Sequence, residues 1–392
     1  MNKKGKFNIL HVDSFKEFGG AQNDIVILLK FMKLYHSEKF NIYVIHNGNK
    51  RLKSELDKLG IYNISIRMKN FLDINAIFKI RNFLIKHDID LINFHSSKDQ
   101  FLGGIASLSI FKKKIVKILT RHVAYKVDFL KGFLIYRFLT DKFIAISDFI
   151  SKGLVNDVKI NPKKIETIYS PRIYNDSGTE GKRCSLERDI LLYQSVKQDV
   201  RCELGVKPDE KIVSLIGRLS KEKGHEVLIN ASELIIKIKK RNDIKFVIIG
   251  EGELYNHITN LINKKGLGDF FIISGFKKDI KKFIFASDLI IVPSGLEGMG
   301  SIIIESCALK KAVIASNVGG IPEIIRNDET GLLFENGDYI ELANKIISLI
   351  DKQELIEKLG LNCYNEVVKK FDAKEITSKT ALLYLNLLKD LQ

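Results

Sequence analysis

Cysteine, proline and long apolar runs are all scarce in this 392-residue chain, and each shortage removes a class of protein. The four cysteines, Cys184, Cys202, Cys307 and Cys363, form no C-x-x-C pair, and none stands at ligand spacing from a histidine. A disulfide framework and a zinc site are therefore not expected, and a reducing cytoplasm suits the chain. No stretch reaches the ~20 apolar residues that span a bilayer. Lys3, Lys4 and Lys6 precede an apolar run of only Phe7 to Val12, interrupted by Asn8 and His11, which is too short for a secretory leader. No short tandem repeat is present. The five prolines and the many Ile and Lys residues reflect base composition of the gene as much as function.

What is present points to a folded, two-domain protein. The length exceeds one ordinary domain. Apolar residues make up 45%, enough for real cores, and 28% charged residues are normal for a soluble chain. The net charge of +16 is uneven. Residues 1–180 hold 31 Lys and Arg against 17 Asp and Glu, a net of +14; residues 181–392 hold 32 against 30, a net of +2. A basic half beside a neutral one suits an anionic partner, whether nucleic acid, an anionic membrane or an acidic substrate. The plain alternative is a Lys-rich solvated face.

Short apolar segments alternate with amphipathic ones along both halves. Strands are expected at Phe7–Val12, Phe40–His46, Ile64–Ile66, Leu91–His95, Ile115–Arg121 and Phe143–Ile146. Helices are expected between them at Ala21–Leu34, Lys50–Leu59, Ile74–Lys86, Lys98–Phe111 and Phe129–Leu139, with a last one at Asp148–Asn156. The pattern breaks around Tyr169–Pro208, where Ser170-Pro171 and a polar, glycine-bearing patch mark turns. After a helix at Ser185–Leu204 the alternation resumes, with strands at Ile212–Ile216, Phe246–Ile249, Phe271–Ser274, Leu289–Val292, Ala312–Ala315 and Gly331–Phe334. Helices fill the remainder to Leu391. Strict alternation implies parallel, doubly wound sheets. The expected domains are 1–175, a linker region 176–210, and 211–372, with a final helix at 373–392 crossing back to the first domain.

Chemistry-bearing residues gather after the strands. Gly295-Leu296-Glu297-Gly298-Met299-Gly300-Ser301 follows an apolar strand and opens an apolar helix. Free N–H groups at a helix start bind anions such as a diphosphate. Glu305 lies eight residues after Glu297, a little over two helical turns, so the two carboxylates suit bidentate bonding to vicinal hydroxyls. Glu305 sits in Ile302–Ala308, which reads as buried, and a buried carboxylate needs a partner. Gly217-Arg218-Leu219-Ser220-Lys221-Glu222-Lys223-Gly224 also follows a strand, and its Arg218 and Lys223 would stabilise a departing diphosphate. Gly250-Glu251-Gly252, Gly275-Phe276 and Gly319-Gly320-Ile321-Pro322-Glu323 are further glycine-bearing strand ends.

These segments resemble the retaining family 4 glycosyltransferases of the GT-B fold. Gly217-Arg218-Leu219 with Lys223-Gly224 is similar to that family's G-R-L-x-x-x-K-G. Gly250-Glu251-Gly252 matches its G-x-G. Pro293-Ser294 through Glu297-Gly298-Met299-Gly300 to Glu305 matches P-S-x-x-E-G-x-G-x-x-x-x-E. Ala315-Ser316 with Gly319–Glu323 matches A-S-x-x-G-G-x-P-E. The first half fits through Gly19-Gly20-Ala21, His95-Ser96 and His122.

The resemblance implies two Rossmann-like, doubly wound parallel-sheet domains facing a cleft, an acceptor-binding first domain and a nucleotide-sugar-binding second one. It implies that Arg218 and Lys223 hold the donor diphosphate, Glu305 the ribose and Glu297 the sugar. Gly217, Gly250, Gly252 and the backbone of Gly298, Met299, Gly300 and Ser301 would line the donor, with Gly19 and Gly20 approaching the phosphate. His122 would face the reacting sugar. The catalytic set is His122, Glu297, Arg218 and Lys223. The family's linker P-N-G is replaced by Ser170-Pro171-Arg172. The implied reaction is hexosyl transfer with retention from a UDP-, GDP- or ADP-sugar, without a cofactor or metal. The acceptor would be a saccharide or lipid-linked glycan of lipopolysaccharide or another surface polysaccharide.

Other residues invite weaker readings. Asp88-Ile89-Asp90 has metal-motif spacing but precedes a strand, so it reads as a surface turn. His95 and Asp13 are acceptor-side candidates; a structural role suits His95 equally, and it is the expected role of His11 and His225. The basic, apolar segments Phe101–Ile118 and Phe129–Phe138 look like interfacial helices, which would set the enzyme peripherally on the inner face of the cytoplasmic membrane. Competing classes are a nucleotide-sugar epimerase of the same fold and a basic nucleic-acid-binding α/β protein.

Overall fold

The computed structural model describes residues 5–111, 113–123, 136, 138–173 and 185–390. In chain order it begins with β1 (Phe7–Asp13), α1 (Gly20–His36), β2 (Phe40–His46), α2 (Lys50–Lys58), β3 (Tyr62–Ser65) and α3 (Ile74–Lys86). Next come β4 (Leu91–Phe94), α4 (Ser97–Leu108), β5 (Val116–Arg121), β6 (Lys142–Ala145), α5 (Asp148–Asn156) and β7 (Ile165–Thr167). Then follow α6 (Ser185–Glu203), β8 (Lys211–Ile216), α7 (His225–Glu233), β9 (Ile244–Ile249), α8 (Tyr255–Lys264), β10 (Phe271–Ile273) and α9 (Ile280–Ala286). The chain ends with β11 (Leu289–Val292), α10 (Ser301–Ala308), β12 (Val313–Ser316), β13 (Leu332–Phe334), α11 (Tyr339–Ile350), α12 (Gln353–Lys370) and α13 (Ala373–Lys389).

Two units result, Met1–Arg172 with Ala373–Gln392, and Ile173–Asp372. The first holds a seven-stranded sheet in the order β3-β2-β1-β4-β5-β6-β7, the second a six-stranded sheet in the order β10-β9-β8-β11-β12-β13. Every strand pair in both sheets is parallel. Helices cover both faces of such a sheet, so its central strands are continuous apolar runs rather than alternating ones. Leu289–Val292 and Leu91–Phe94 are buried at every position for this reason. Short polar side chains start the helices: Asn49, Asp73, Ser96 and Ser147 each accept a hydrogen bond from a backbone N–H in the first turn. β7, unexpected from the sequence, is a three-residue edge strand whose residues are not fully buried, so its apolar signal is weak.

The last helix, α13, belongs to the first unit and packs on α1. Its Tyr384 is wholly buried. The Tyr384 hydroxyl accepts from Asn93 Nδ2 at 2.7 Å, and Asn93 Oδ1 accepts from Thr120 Oγ1 at 2.9 Å. A helix far away in sequence is thus bonded to the middle of the sheet.

In the second unit α10 and α12 are joined by a disulfide between Cys307 and Cys363, with Cα atoms 5.3 Å apart. This corrects the expectation of no disulfide. The partners lie 56 residues apart on separate helices, a pairing that spacing alone does not reveal. Cys202 is free and exposed; Cys184 lies outside the described residues. With the bridge, the cysteine argument for a reducing compartment lapses. Among the described residues no helix is long and apolar enough to cross a membrane.

Replacing Tyr384 by Phe leaves a buried Asn93 donor unmade, which should cost about 1–3 kcal/mol. Urea unfolding of Tyr384→Phe beside the parent chain measures it; equal midpoints would mean that α13 is not anchored through this bond.

Candidate active site

Each sheet reverses its strand order at one point: β1 lies between β2 and β4, and β8 between β9 and β11. Ligands of open parallel sheets gather outside the carboxyl ends of the strands at such points. The motif residues of both halves stand there. Gly19 and Gly20 follow β1 and His95 follows β4; Gly217–Lys223 follows β8 and Pro293–Ser301 follows β11.

In the second unit the loops at this rim touch backbone to backbone. Gly319, after β12, has φ of 58°, and a Cβ built on it would lie 1.9 Å from the Glu297 carbonyl oxygen. Gly250, after β9, has φ of 148°, and its Cβ would lie 1.9 Å from the Gly217 carbonyl oxygen. Neither position admits a side chain. Hydrogen bonds tie the same loops: Gly320 N to Glu297 O at 3.1 Å, Leu219 N to Glu251 O at 2.9 Å, and Gly295 N to Glu222 O at 2.9 Å. Gly252 packs likewise on Leu219. The glycines that read as room for a ligand are in these places room for the neighbouring loop.

That scaffold sets the charged groups. Lys223 makes an ion pair and a hydrogen bond with Glu297 Oε1, which also accepts from Ser294 Oγ at 3.0 Å. The Lys223 stem runs past Gly217, whose Cβ would meet it at 3.7 Å. Arg218 is exposed and pairs with Glu222 at 2.9 Å. Gly298, Met299 and Gly300 are buried; Gly300, with φ of 81°, precedes Ser301, the first residue of α10. Glu305 is half-buried on α10, between fully buried Ile304 and Ser306, so it is less enclosed than its apolar neighbours suggest. His225 is a core residue, held at about 4 by burial and hence neutral.

In the first unit the corresponding rim is a buried polar network. Asp13 is 1% exposed and accepts from Gln22 Nε2 at 3.1 and 3.3 Å, while Gln22 Oε1 receives the Gly19 N–H at 2.9 Å. Burial pushes the Asp13 carboxyl up to about 6; burial and the nearby Asp13 charge push Asp99 up to about 8. His11 Nδ1 meets His95 Nε2 at 3.0 Å, and His95 Nδ1 meets His122 Nε2 at 3.1 Å. Burial lowers His11 to about 3 and takes His95 well below its ordinary value, so both rings are neutral. Arg172 bonds Asp24 at 2.6 Å and the Gly20 carbonyl at 3.1 Å. Sequence reasoning missed Asp24 and Arg172. The signals were a carboxylate on the inner face of an amphipathic helix and an arginine in the segment that stands in place of the family's linker motif.

The acidic pair Asp88 and Asp90 stands at the opposite, amino end of β4, where both bind Lys113 and Asp90 accepts the Asn8 N–H at 2.8 Å. Among the described residues no group of three or more His, Cys, Asp or Glu could hold a metal ion. Of the expected interfacial segments, Lys112, Lys126, Phe129 to Ile135 and Arg137 lie outside the described residues. Leu102, Ile115 and Ile118 are core, whereas Leu108 and Phe111 are exposed. A denser apolar surface stands nearby: Phe71, Leu72, Ile74 and Phe78 are all exposed, and the Phe71 ring meets Phe101 edge-on at 6.0 Å.

Two doubly wound parallel units, one with a Lys, an Arg and two Glu around its switch point, have the architecture of the GT-B glycosyltransferases. Comparison with known proteins agrees. The family model described as "Glycosyltransferase Family 4" matches residues 27–171, and that described as "Glycosyl transferases group 1" matches residues 196–366. The chain is 24% identical to the UDP-Gal:alpha-D-GlcNAc-diphosphoundecaprenol alpha-1,3-galactosyltransferase of Escherichia coli, over 97% of each chain. It is 23% identical to the capsular polysaccharide biosynthesis glycosyltransferase CapM of Staphylococcus aureus, over 92% of this chain and 93% of that one. A glycosyltransferase crystal structure from Rickettsia africae superposes with a TM-score of 0.84 at 25% identity, over 98% of this chain and all of that one. Anabaena HepE in complex with UDP shares the fold, with a TM-score of 0.80 at 21% identity over 97% of this chain and all of that one. The chain belongs to the family 4 glycosyltransferases.

Gly319→Ala would drive a methyl into the Glu297 carbonyl in a backbone conformation that alanine resists. A loss of more than about 2 kcal/mol is expected. Gly268, whose Cβ would meet nothing closer than 3.7 Å, is the control. Thermal unfolding of both alanine variants checks this, and equal midpoints would refute the loop-contact account.

Proposed function

We propose that the chain moves a sugar, with retention at the anomeric carbon, from a nucleotide-sugar donor carried by the second unit to a lipid-linked or saccharide acceptor of a cell-surface glycan. The observation that carries the reading is the pairing of Lys223 with Glu297 beside the start of α10, at the switch point of the second sheet. Lys223, Arg218 and the N-terminus of α10 supply positive charge for a departing diphosphate without a metal. Glu297 and Glu305 serve as hydroxyl ligands for sugar and ribose. In this reading the leaving phosphate oxygen takes the acceptor proton, and attack comes from the face it leaves. His122 acts in catalysis on the acceptor side. The Escherichia coli relative, whose name specifies UDP-Gal and a diphosphoundecaprenol-linked acceptor, supports a UDP-sugar and a lipid carrier. The UDP and UDP-glucose complexes of HepE support the same donor class.

A lipid carrier implies work at a membrane, on its cytoplasmic face where nucleotide sugars are made. Phe71, Leu72, Ile74 and Phe78, flanked by exposed Arg67, Lys69 and Lys79, form the surface we assign to it. Exposed apolar clusters of this kind mark interaction sites, and each nearby Lys or Arg adds about 1 kcal/mol at an anionic leaflet. The +14 charge of residues 1–180 favours the same partner.

A thermal-shift screen of UDP-, GDP- and ADP-sugars tests the donor. The matching donor at a hundredfold excess over its Kd should raise the midpoint by about 5 °C. Glu305→Ala should abolish that rise; an undiminished rise would remove Glu305 from the site. Turnover of the donor into another sugar nucleotide with no acceptor would instead mark an epimerase. For the membrane, co-sedimentation with phosphatidylglycerol vesicles should fall at least about tenfold in a Phe71→Ser, Phe78→Ser protein. Equal binding by parent and variant, or none by the parent, would end that part of the reading.

A further inference from the structure

Three of the six histidines of the first unit stand at or near the carboxyl ends of three neighbouring central strands. His11 is within β1, His95 follows β4 and His122 follows β5. Their ring contacts form one line, His11 Nδ1 to His95 Nε2 at 3.0 Å and His95 Nδ1 to His122 Nε2 at 3.1 Å. Beyond His122, its Nδ1 faces Asp24 Oδ2 at 3.6 Å, with both side chains only 6% exposed. That distance is past a direct hydrogen bond, yet a carboxylate still attracts an N–H dipole and repels a lone pair. Asp24 is held in turn by Arg172 at 2.6 Å.

A neutral imidazole has one N–H and one lone pair. For three neutral rings, two proton arrangements satisfy the two histidine contacts. In one, every ring carries its proton on Nδ1, the donors run from His11 to His122, and the His122 N–H is turned toward Asp24 without a direct hydrogen bond. His11 Nε2, which has no hydrogen-bond partner, is then a bare lone pair. In the other, every ring carries its proton on Nε2. The partnerless Nε2 of His11 then holds a buried unpaired N–H, and His122 turns a lone pair on the Asp24 carboxylate. Each arrangement leaves one buried N–H without a hydrogen bond, on His122 Nδ1 in the first and on His11 Nε2 in the second; the carboxylate beside His122 decides between them, favouring the first.

We propose that Asp24, His95 and His11 are positioning residues for His122, holding its ring with a proton on Nδ1 and the lone pair of Nε2 engaged by His95. The proposal rests on the reading of His122 as a functional residue, and it adds the means by which its tautomer and ring orientation are set. Arg172 extends the assembly. Its guanidinium also donates to the Gly20 carbonyl oxygen at 3.1 Å, so Asp24 is fixed by the same side chain that fixes the first glycine loop. Arg172 closes Ser170-Pro171-Arg172 and anchors Asp24.

The test is nitrogen NMR of the full chain labelled at histidine, with resonances assigned by single His→Gln variants. The expected spectrum has a protonated Nδ1 and an unprotonated Nε2 at His122, His95 and His11. Asp24→Asn, equal in size but uncharged, should move His122 toward the Nε2-protonated form, while His36, His46 and His87 of the same unit keep their shifts and report an intact fold. Asp24→Glu should restore the parent tautomer. A parent spectrum with Nε2 protonated at His122 overturns the proposal, and so does an Asp24→Asn protein whose His122 shifts are unchanged. The shifts are read without donor or acceptor, so a failure of the donor screen would leave them untouched.

Discussion

Backbone lying directly on backbone is the constraint on which the second unit's rim depends. A carbonyl oxygen from one strand-end loop occupies the place where the neighbouring loop would carry a side chain, at Gly319 over Glu297 and at Gly250 over Gly217. The loops therefore cannot shift independently, and the residues between the contacts inherit fixed positions. Lys223 and Glu297 meet because their loops are bonded through Gly295 and Glu222. Preorganisation of this kind matters for group transfer, since charges that need not reorient act at full strength on a leaving diphosphate.

The first unit solves a different problem with different means. Its rim buries carboxylates and imidazoles rather than glycines, and burial favours their uncharged forms: His11 and His95 lose their protons, and Asp13 and Asp99 hold theirs more tightly. A shift toward the uncharged forms lowers the large cost of burying isolated charge. The ion pair of Arg172 with Asp24 acts twice, because the same guanidinium donates to the Gly20 carbonyl.

The fold was legible because parallel strands covered on both faces leave uninterrupted apolar runs, as in Leu289–Val292, and glycine follows so many of them. Gly217–Gly224 and Pro293–Glu305 could be read as a site because their chemistry is local in sequence. What escaped was whatever depends on distant partners. Cys307 and Cys363 pair across two helices. Tyr384 reaches Asn93 from the far end of the chain. Asp24 becomes meaningful only once Arg172 and His122 are beside it. Exposure also escaped: Phe71 to Phe78 read as the approach and start of an ordinary helix, although several of its apolar side chains face solvent. The β7 edge strand was missed because three partly covered residues carry too little pattern.

The close loop contacts also limit how an enzyme of this kind can diversify. Where a carbonyl oxygen fills the space of a would-be side chain, substitution is closed whatever the selective advantage, and such positions stay glycine as substrates change. Innovation is confined to the intervening residues whose side chains have room, such as the exposed Leu296 and Phe276 on the same rim. A catalyst built this way keeps an invariant frame and acquires new sugars through a few variable side chains set in it.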